Sequence, residues 1–307
     1  MKEHLLGLDG WSGEEILEVL DHARTFRKVL DRDVKKLPTL KGITVANLFF
    51  ENSTRTRMSF ELAEKRLSAD IINFSASTSS LKKGESLRDT VDNIWSMKVD
   101  MVVIRHVAVG SSHFIARRCK AVVINAGDGS HEHPTQALLD LYTIRERFES
   151  FEGLKVCLVG DALHSRVIRS NVLGLKALGA KITLCAPLTL LPFGVEQWGI
   201  DVTCDIEEAI AGANVVNVMR LQLERQTAGY IPSLREYSTY WGIHKGLIDL
   251  MDKDHIIMHP GPMNRGVEIT QEVADSADSV ILPQVTNGVA VRMAVLYLLS
   301  PRIGETQ

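Results

Sequence analysis

The sequence contains little cysteine: four residues in a chain of 307, with no Cys-x-x-Cys pair. They are Cys119, Cys157, Cys185 and Cys204. Cysteines this far apart indicate neither a metal site nor a redox pair. Cys157 and Cys185 fall in apolar, strand-like runs, where a thiol normally packs as a small buried hydrophobic group. We therefore assign the cysteines no metal-binding, redox or nucleophilic role.

The sequence also lacks a charge bias, a basic run and a long apolar run. Lysine and arginine number 35 against 38 acidic residues, for a net charge of −3, so no nucleic-acid partner is expected. No apolar run approaches the ~20 residues that span a bilayer, so no membrane partner is expected. The start of the chain, Met1-Lys2-Glu3-His4, lacks the pattern of a signal peptide. We expect a cytoplasmic protein.

What the sequence has in abundance is an alternation of short apolar runs with helical periods. With 45% hydrophobic and 24% charged residues it can bury a substantial core, and its length predicts about two domains. In the first half, strands are predicted near residues 43–50, 71–74, 101–104 and 121–124, and helices near 54–67, 85–97, 112–119 and 134–147. Continuous apolar strands that alternate with helices indicate a parallel sheet covered on both faces.

The pattern restarts near residues 149–153. Strands are predicted near residues 154–160, 181–186, 202–204, 215–219 and 255–258, and helices near 166–178, 206–211, 244–251 and 285–299. We predict an α/β fold of two doubly wound parallel-sheet domains, with the active site in the cleft between them. The first domain is predicted to span residues 1–149, joined by a C-terminal helix over 285–307, and the second residues 150–284.

An anion-binding pattern follows the first predicted strand and opens a helix: ENSTRTR at residues 51–57. A strand-to-helix turn exposes backbone N–H groups at the positive end of the helix dipole. The hydroxyls of Ser53, Thr54 and Thr56 and the guanidinium of Arg55 add donors that suit phosphate oxygens. The alternative is a helix cap with two solvated arginines. No Gly-x-x-x-x-Gly-Lys run is present, which disfavours a nucleotide P-loop.

Arg105 lies at the end of another predicted strand. In open α/β sheets ligands bind beyond the carboxyl ends of the strands, so Arg105 and residues 53–56 are predicted to share one edge. Between them, residues 79–85 form a polar loop that contains Lys83. Taken alone, that loop is typical of a solvated charged turn.

The segment at residues 125–136, NAGDGSHEHPTQ, also follows a strand. Pro134 suits a first helical turn, from which His133 and Gln136 would point to the same edge. The histidines and acids nearby could suggest a metal, but no His-Glu-x-x-His spacing exists. A neutral imidazole that donates a hydrogen bond to a carbonyl oxygen fits the pattern better.

The second half repeats the arrangement. The run GDALHSR at residues 160–166 follows a strand and lacks Gly-x-Gly-x-x-Gly, which disfavours NAD binding. Residues 220–225 follow the next strand, and HPGPMNR at 259–265 follows the last, where a rigid turn is the ordinary interpretation. Four arginines fall at predicted strand exits: Arg55, Arg105, Arg166 and Arg220. Such a concentration of cations implies a small, multiply anionic ligand bound between the domains.

Together these residues resemble the aspartate/ornithine carbamoyltransferase family over essentially the whole chain. Residues 53–57, STRTR, are similar to the family's carbamoyl-phosphate signature, and residues 133–136, HPTQ, to its His-Pro-x-Gln motif. Further positions match the family's mobile-loop lysine, its aspartate-binding residues and its proline-containing loop: Lys83, Arg166, Arg220, Gln222, Gly261 and Pro262.

The resemblance also bears on the acceptor. The ornithine branch carries a His-Cys-Leu-Pro loop and an Asp-x-x-x-Ser-Met segment, and this sequence has neither. A dicarboxylate acceptor, aspartate, is therefore implied, in pyrimidine biosynthesis. The family also has a variant with His-Pro-Leu-Pro where this chain reads His-Pro-Gly-Pro at residues 259–262.

The resemblance implies a role for each matching residue. The implied catalytic residues are Arg55, Thr56, Lys83, Arg105 and His133. Carbamoyl phosphate would be bound by Ser53, Thr54, Arg55, Thr56, Arg105, His133, Gln136, Gly261 and Pro262. Aspartate would be bound by Lys83, Arg166, Arg220 and Gln222. No side-chain nucleophile, metal or cofactor is required, because the departing phosphate can take the amine proton.

The resemblance further implies a homotrimer in which Lys83 reaches the site of a neighbouring subunit. The resemblance leaves open whether a regulatory chain or a dihydroorotase partner binds. The alternative functions are a carbamoyltransferase for another amine, a dinucleotide-dependent dehydrogenase and a non-catalytic homologue. The missing glycine fingerprint disfavours the second, and the complete set of anion ligands disfavours the third.

Overall fold

The computed structural model describes residues 2–75, 86–225 and 229–301. The chain forms two compact units: Met1–Leu139 with Thr286–Gln307, and Asp140–Val285. The division at residues 139/140 falls inside a helix, whereas the sequence pattern placed a boundary in the loop that follows that helix. Each unit has a parallel sheet of its own.

The first unit is built on a four-stranded parallel sheet in the order β2-β1-β3-β4. Its strands are β1 (Thr44–Phe49), β2 (Asp70–Ser75), β3 (Met101–His106) and β4 (Val122–Asp128). The helices that begin in it are α1 (Gly13–Leu30), α2 (Thr54–Leu67), α3 (Leu87–Ser96), α4 (Ser111–Ala116) and α5 (Pro134–Phe148). Helix α1 starts directly after Ser12, where Ser12 and Glu15 exchange the two hydrogen bonds of a capping box.

The second unit is built on a five-stranded parallel sheet in the order β7-β6-β5-β8-β9. Its strands are β5 (Lys155–Val159), β6 (Lys181–Cys185), β7 (Asp201–Thr203), β8 (Val215–Val218) and β9 (Ile256–Met258). The remaining helices are α6 (Arg166–Ala177), α7 (Ile206–Ile210), α8 (Leu234–Trp241), α9 (Lys245–Ile248), α10 (Gln271–Ala274) and α11 (Ile281–Leu298). The prediction of two parallel α/β sheets is confirmed.

Some elements differ from the sequence prediction. Strand β4 continues through the buried polar residues Asn125 and Asp128, which are joined by a side-chain hydrogen bond of 2.8 Å. Strand β3 likewise runs through Arg105 to His106 instead of ending before Arg105. Helix α8 was not predicted; it is short, and Tyr237 is its one buried residue. A strand predicted from its apolar residues ends at the first polar residue, although the backbone can continue in the sheet beyond it.

Helix α11 starts at Ile281, four residues before the predicted start. Among the described residues it is the one helix long and apolar enough to cross a membrane, and 67% of it is buried inside the protein. It carries the buried Arg292, whose Nη1 donates to Ser59 Oγ at 2.9 Å and whose guanidinium lies 5.1 Å from the Phe60 ring centre. These features are those of a helix in the core of a folded unit.

A buried carboxyl group on α2 lies against strand β1 of the first sheet. Glu64 of α2 is 0% exposed and accepts a hydrogen bond of 2.8 Å from Asn47 Nδ2 on β1. Burial raises the pKa of Glu64 to about 8, although the Asn47 hydrogen bond acts in the opposite direction. Glu64 is therefore mostly protonated in the folded protein at neutral pH.

This burial makes stability depend on pH. In the unfolded chain Glu64 ionises near its ordinary pKa of 4.5, so its contribution to the free energy of unfolding is lost as pH rises from there through about 8. Glu64→Gln stays neutral and keeps the acceptor for Asn47. We expect the wild-type protein and Glu64→Gln to have similar free energies of unfolding at pH 4.5. At pH 8.5 we expect the free energy of unfolding of Glu64→Gln to be higher, by about 3 kcal/mol.

Urea unfolding at both pH values, at one protein concentration, measures this difference. Glu61→Gln controls for loss of a carboxylate from the same helix, since Glu61 forms a surface pair with Arg57 at 3.3 Å. A Glu64→Gln advantage that is equal at pH 4.5 and 8.5 would show that folding does not raise the pKa of Glu64.

Candidate active site

The predicted anion-binding residues of the first unit lie at the point where its strand order reverses. β1 is followed by its neighbour β2 on one side, and β3 lies on its other side. In doubly wound sheets ligands bind outside the carboxyl ends of the strands at this reversal. Phe49 is in register with Arg105, and the Phe50 N–H donates to the Arg105 carbonyl at 2.9 Å. The exits of β1 and β3 are therefore neighbours, as the sequence predicts.

Helix α2 begins at this edge in a form that suits an anion. Ser53 precedes the helix in an extended conformation, and its side chain makes no capping hydrogen bond. The first turn of α2 contains no acidic residue. Thr56 is buried, whereas Arg55 is exposed. The positive end of the helix dipole is thus flanked by hydroxyls and one guanidinium instead of a carboxylate.

The second arginine of the segment has a partner on the surface of α2. Arg57 Nε lies 3.3 Å from Glu61 Oε1, in an i,i+4 pair on the surface of α2. Arg55 is placed in the first turn beside Ser53 and Thr54. Arg57 therefore has a surface carboxylate partner, and Arg55 stays the predicted anion ligand of the segment.

Arg105 is a buried guanidinium with a fixed orientation. It is 9% exposed; its Nη2 lies 2.7 Å from Glu51 Oε1, and its Nη1 donates to the Ala126 carbonyl at 3.3 Å. Sequence reasoning gave Glu51 no role, although it directly follows the strand-end aromatic pair. The carboxylate balances the guanidinium and orients it before any ligand arrives.

His133 and Gln136 come to the same sheet edge from β4, which pairs with β3. Pro134 opens α5 as predicted, and the Gln136 N–H donates to the His133 carbonyl at 3.0 Å. Both side chains are buried. The first unit therefore gathers Ser53, Thr54, Arg55, Thr56, Arg105, His133 and Gln136 at the carboxyl ends of three adjacent strands.

A buried carboxylate shapes the turn between β4 and α5. Asp128 accepts hydrogen bonds from Asn125 Nδ2 at 2.8 Å and the Gly110 N–H at 2.7 Å, and His131 Nδ1 lies 3.1 Å away. Burial alone would raise the pKa of Asp128, but the hydrogen bonds from His131, Asn125 and Gly110 outweigh it and lower that pKa. Asp128 thus stays ionised and holds the backbone that leads to His133.

The second sheet has its own reversal, between β5 and β8. Val159 is in register with Val218, and the Met219 N–H donates to the Val159 carbonyl at 2.7 Å. Gly160 follows with φ +126°, and a Cβ there would lie 2.6 Å from the Met219 carbonyl oxygen. Only glycine fits this close approach, which brings the exits of the two strands side by side.

The two exits are tied together by side chains that sequence reasoning left without a role. Asp161, fully buried, accepts from the Gln222 N–H at 3.2 Å and pairs with His164 Nδ1 at 2.8 Å. Arg225 Nη1 donates to the His164 carbonyl at 3.2 Å. The signal for them was present, because each is a polar residue within a few positions of a strand exit.

The remaining predicted residues of the second unit lie at the same carboxyl edge. Arg166 is the buried first residue of α6, whose cap is the Ser165 side chain. Arg220 directly follows the β8 exit, and Gly261 and Pro262 follow the adjacent strand β9. Lys83 lies outside the described residues. Within residues 2–75, 86–225 and 229–301, no group of three or more His, Cys, Asp or Glu side chains could hold a metal ion.

Comparison with protein families gives two matches that together cover nearly the whole chain. Residues 3–146 match the carbamoyl-phosphate-binding domain of aspartate/ornithine carbamoyltransferases. Residues 152–299 match the aspartate/ornithine-binding domain of the same family.

Individual relatives agree with these matches. The chain is 56% identical over 298 residues to the aspartate carbamoyltransferase catalytic subunit of Cytophaga hutchinsonii, covering 97% of each chain. It is 57% identical over 296 residues to the protein of the same name from Gemmatimonas aurantiaca, covering 96% of this chain and 93% of that one.

Solved structures of the family have the same fold. Aspartate transcarbamoylase from Trypanosoma cruzi in complex with carbamoyl phosphate and aspartate is similar with a TM-score of 0.86 and 29% identity, covering 96% of this chain and 95% of that one. Ornithine carbamoyltransferase from Thermus thermophilus is similar with a TM-score of 0.86 and 26% identity, covering 98% and 99%. Fold similarity alone thus spans both acceptor branches, whereas the 56–57% identical relatives are named for aspartate.

Proposed function

The chain belongs to the aspartate/ornithine carbamoyltransferase family, and we propose on that basis that it is an aspartate carbamoyltransferase. It transfers the carbamoyl group of carbamoyl phosphate to the amine of L-aspartate, giving N-carbamoyl-L-aspartate and phosphate, a step of pyrimidine biosynthesis. The observation that carries the proposal is the set of hydroxyl and guanidinium donors at the reversal of the first sheet, in a chain 56% identical to named relatives.

The donor substrate suits the edge of the first unit. The phosphate lies at the positive end of α2, where Ser53, Thr54 and Arg55 bind its oxygens. Arg105 adds a second guanidinium at the exit of β3, already oriented by Glu51.

The reaction passes through a tetrahedral intermediate with a negative oxygen. Thr56, Arg105 and His133 donate hydrogen bonds to the carbamoyl oxygen, and Gln136 binds the carbamoyl amino group. Donors that are fixed before the charge develops lower the barrier, each by ~2.7–4 kcal/mol in comparable acyl-transfer sites. The buried positions of Thr56, Arg105 and His133 provide that fixed geometry. The departing phosphate takes the proton of the attacking amine.

The acceptor substrate suits the edge of the second unit. Arg166 and Arg220 pair with the two carboxylates of aspartate, and Gln222 adds a polar contact. Asp161 holds the backbone of Gln222, so the exit of β8 is fixed relative to that of β5. Two guanidiniums favour a dicarboxylate over a diamine, since the second amine of ornithine would meet like charge.

Substrate binding can be measured without turnover. Carbamoyl phosphate alone should raise the melting temperature, because a ligand that binds only the folded protein stabilises it. Aspartate alone should raise it less, since carbamoyl phosphate binds first. Sodium chloride at matched ionic strength is the control for nonspecific anion effects, because inorganic phosphate is a product and should bind the same donors. No shift with carbamoyl phosphate at millimolar concentration would contradict the donor assignment.

The active unit that we propose is a homotrimer in which Lys83 completes the site of a neighbouring subunit. What supports it is the family membership together with the position of Lys83 in a mostly polar run, residues 79–85, in which Leu81 is the one apolar residue. A compact ammonium on a flexible stem suits such a reach better than a guanidinium fork does.

Mixed trimers test the shared site. Lys83→Ala and Arg55→Ala chains are each expected to be inactive, but a trimer that contains both can hold one site with both residues intact. Activity should therefore reappear after the two proteins are dissociated and reassembled together. The same mixture without dissociation is the control and should stay inactive. Reassembled mixtures that contain both chains and stay equally inactive would show that Lys83 acts within its own chain.

A further inference from the structure

The loop that follows β9 is held by two buried side chains. The Gly261 N–H donates to His259 Nδ1 at 2.7 Å, and the Asn264 N–H donates to Glu268 Oε1. His259 Nε2 lies 3.3 Å from the same Glu268 oxygen. Both side chains are 0% exposed. One connected unit therefore fixes both ends of the segment that contains Pro262.

The hydrogen bonds specify the protonation state of this histidine. Nδ1 accepts the Gly261 N–H, so it carries no proton, and the ring proton is on Nε2, from which it is donated to Glu268. A proton on Nδ1 would remove the acceptor for Gly261. The loop geometry thus depends on the neutral Nε2–H form of His259.

A second set of hydrogen bonds, through Gln284 and Asp140, fixes the backbone of His259. The His259 N–H donates to Gln284 Oε1 at 2.9 Å, and Gln284 Nε2 donates to Asp140 Oδ1 at 2.8 Å. Asp140 can only accept when ionised, so it determines which end of the Gln284 amide faces His259. Asn171 Nδ2 donates to the other oxygen of Asp140 at 2.9 Å. Connected buried hydrogen bonds of this kind stiffen the groups that they join.

We propose that His259 and Glu268 are positioning residues for carbamoyl transfer, which they serve by holding the Gly261-Pro262 loop in its reactive geometry. The role rests on the proposed function and on the family resemblance, which places Gly261 and Pro262 among the residues that bind carbamoyl phosphate. Neither side chain has any exposed surface, so neither can touch a ligand in the open edge of the sheet. Their effect must pass through the loop backbone. Displacing reacting groups by about 1 Å can reduce rates by about 10²-fold.

Steady-state kinetics of position-specific variants test the role. His259→Ala removes both ring contacts and should lower kcat by about 10²-fold, with much smaller changes in the KM of either substrate. His259→Asn places an amide oxygen near the position of Nδ1, keeps the Gly261 contact and should recover most of kcat. Glu268→Gln keeps the acceptor oxygen and should also stay close to wild type, whereas Glu268→Ala should not.

A matched control separates positioning from stability. Ile257 is a buried residue of β9, two positions before His259. Its hydrocarbon side chain forms no hydrogen bond to the loop. Ile257→Ala should lower the melting temperature yet leave kcat per folded protein unchanged. If His259→Ala and Ile257→Ala have equal kcat, or if His259→Asn is no better than His259→Ala, the positioning role is overturned.

The protonation state can be read without any activity. The ¹⁵N shifts of the imidazole, with the His259 signal identified by its absence in His259→Asn, should report the neutral Nε2–H form at pH 7 to 8. A proton on Nδ1 would overturn the proposed contacts. Wild-type protein that carbamoylates neither aspartate nor ornithine would overturn the proposed function itself. An active wild type with an unaffected His259→Ala variant would overturn only the positioning role.

Discussion

Replacing Arg55 with alanine is expected to lower kcat/KM for carbamoyl transfer by at least about 10²–10³-fold while leaving the fold intact. Arg55 is exposed in the first turn of α2, so its side chain contributes little to the core. Its loss removes a charge-assisted contact to phosphate at a helix start where the preceding Ser53 provides no side-chain cap. The melting temperature without ligand should stay within a few degrees of wild type, and its rise with carbamoyl phosphate should largely disappear.

The same segment offers the control. Arg57 stands two residues later and pairs with Glu61 on the surface of α2. Arg57→Ala removes the same charge from the same helix and should cost far less activity than Arg55→Ala. Equal losses in the two variants would show that the effect is the net charge of the segment and not a contact of Arg55.

Replacing Arg220 with alanine is expected to raise the KM for aspartate by about 10²-fold, the equivalent of ~3 kcal/mol. Arg220 follows β8 at the reversal of the second sheet, two residues from the Gln222 amide that Asp161 holds. A carboxylate that loses its guanidinium partner in a desolvated site loses a strong, charge-assisted hydrogen bond. Binding of carbamoyl phosphate in the absence of aspartate should be unchanged, as measured by the thermal shift.

Arg147→Ala is the matched control in the second unit. Arg147 pairs with Asp254 on the surface, and both side chains are more than half exposed. Such pairs contribute little, so its removal should leave the KM of both substrates as in wild type. If Arg220→Ala instead weakens the two substrates equally, Arg220 does not belong to the aspartate subsite.

Local sequence signals predicted the parts of the site that depend on neighbouring residues. The strand–turn–helix from β1 to α2 was predicted because apolar strand, polar turn and helical period follow one another along the chain. The sequence did not predict that Glu51 would orient Arg105, since their contact joins residues 54 positions apart and depends on the β1–β3 register. The link between Asp161 and Gln222 depends in the same way on the β5–β8 pairing.

The loop after β9 shows the same limit in another form. Residues 259–265 read as a rigid turn, and a Pro-Gly-Pro run alone justifies no more. Its buried supports are Glu268, nine residues from His259, and Gln284, 25 residues away on α11. The sequence alone does not indicate that a particular glutamate or glutamine will be buried against a histidine. Gln284 reaches His259 because the first residues of α11 belong to the second unit, which also contains β9.

The central claim is that this chain carbamoylates aspartate and not a diamine. The most direct measurement is the kcat/KM of the purified chain for aspartate and for ornithine, each with saturating carbamoyl phosphate, following carbamoylated product and phosphate together. The account predicts equal amounts of the two products with aspartate, and a kcat/KM for ornithine lower by about 10⁴-fold. Comparable turnover of ornithine, or phosphate release without carbamoyl-aspartate, would contradict it.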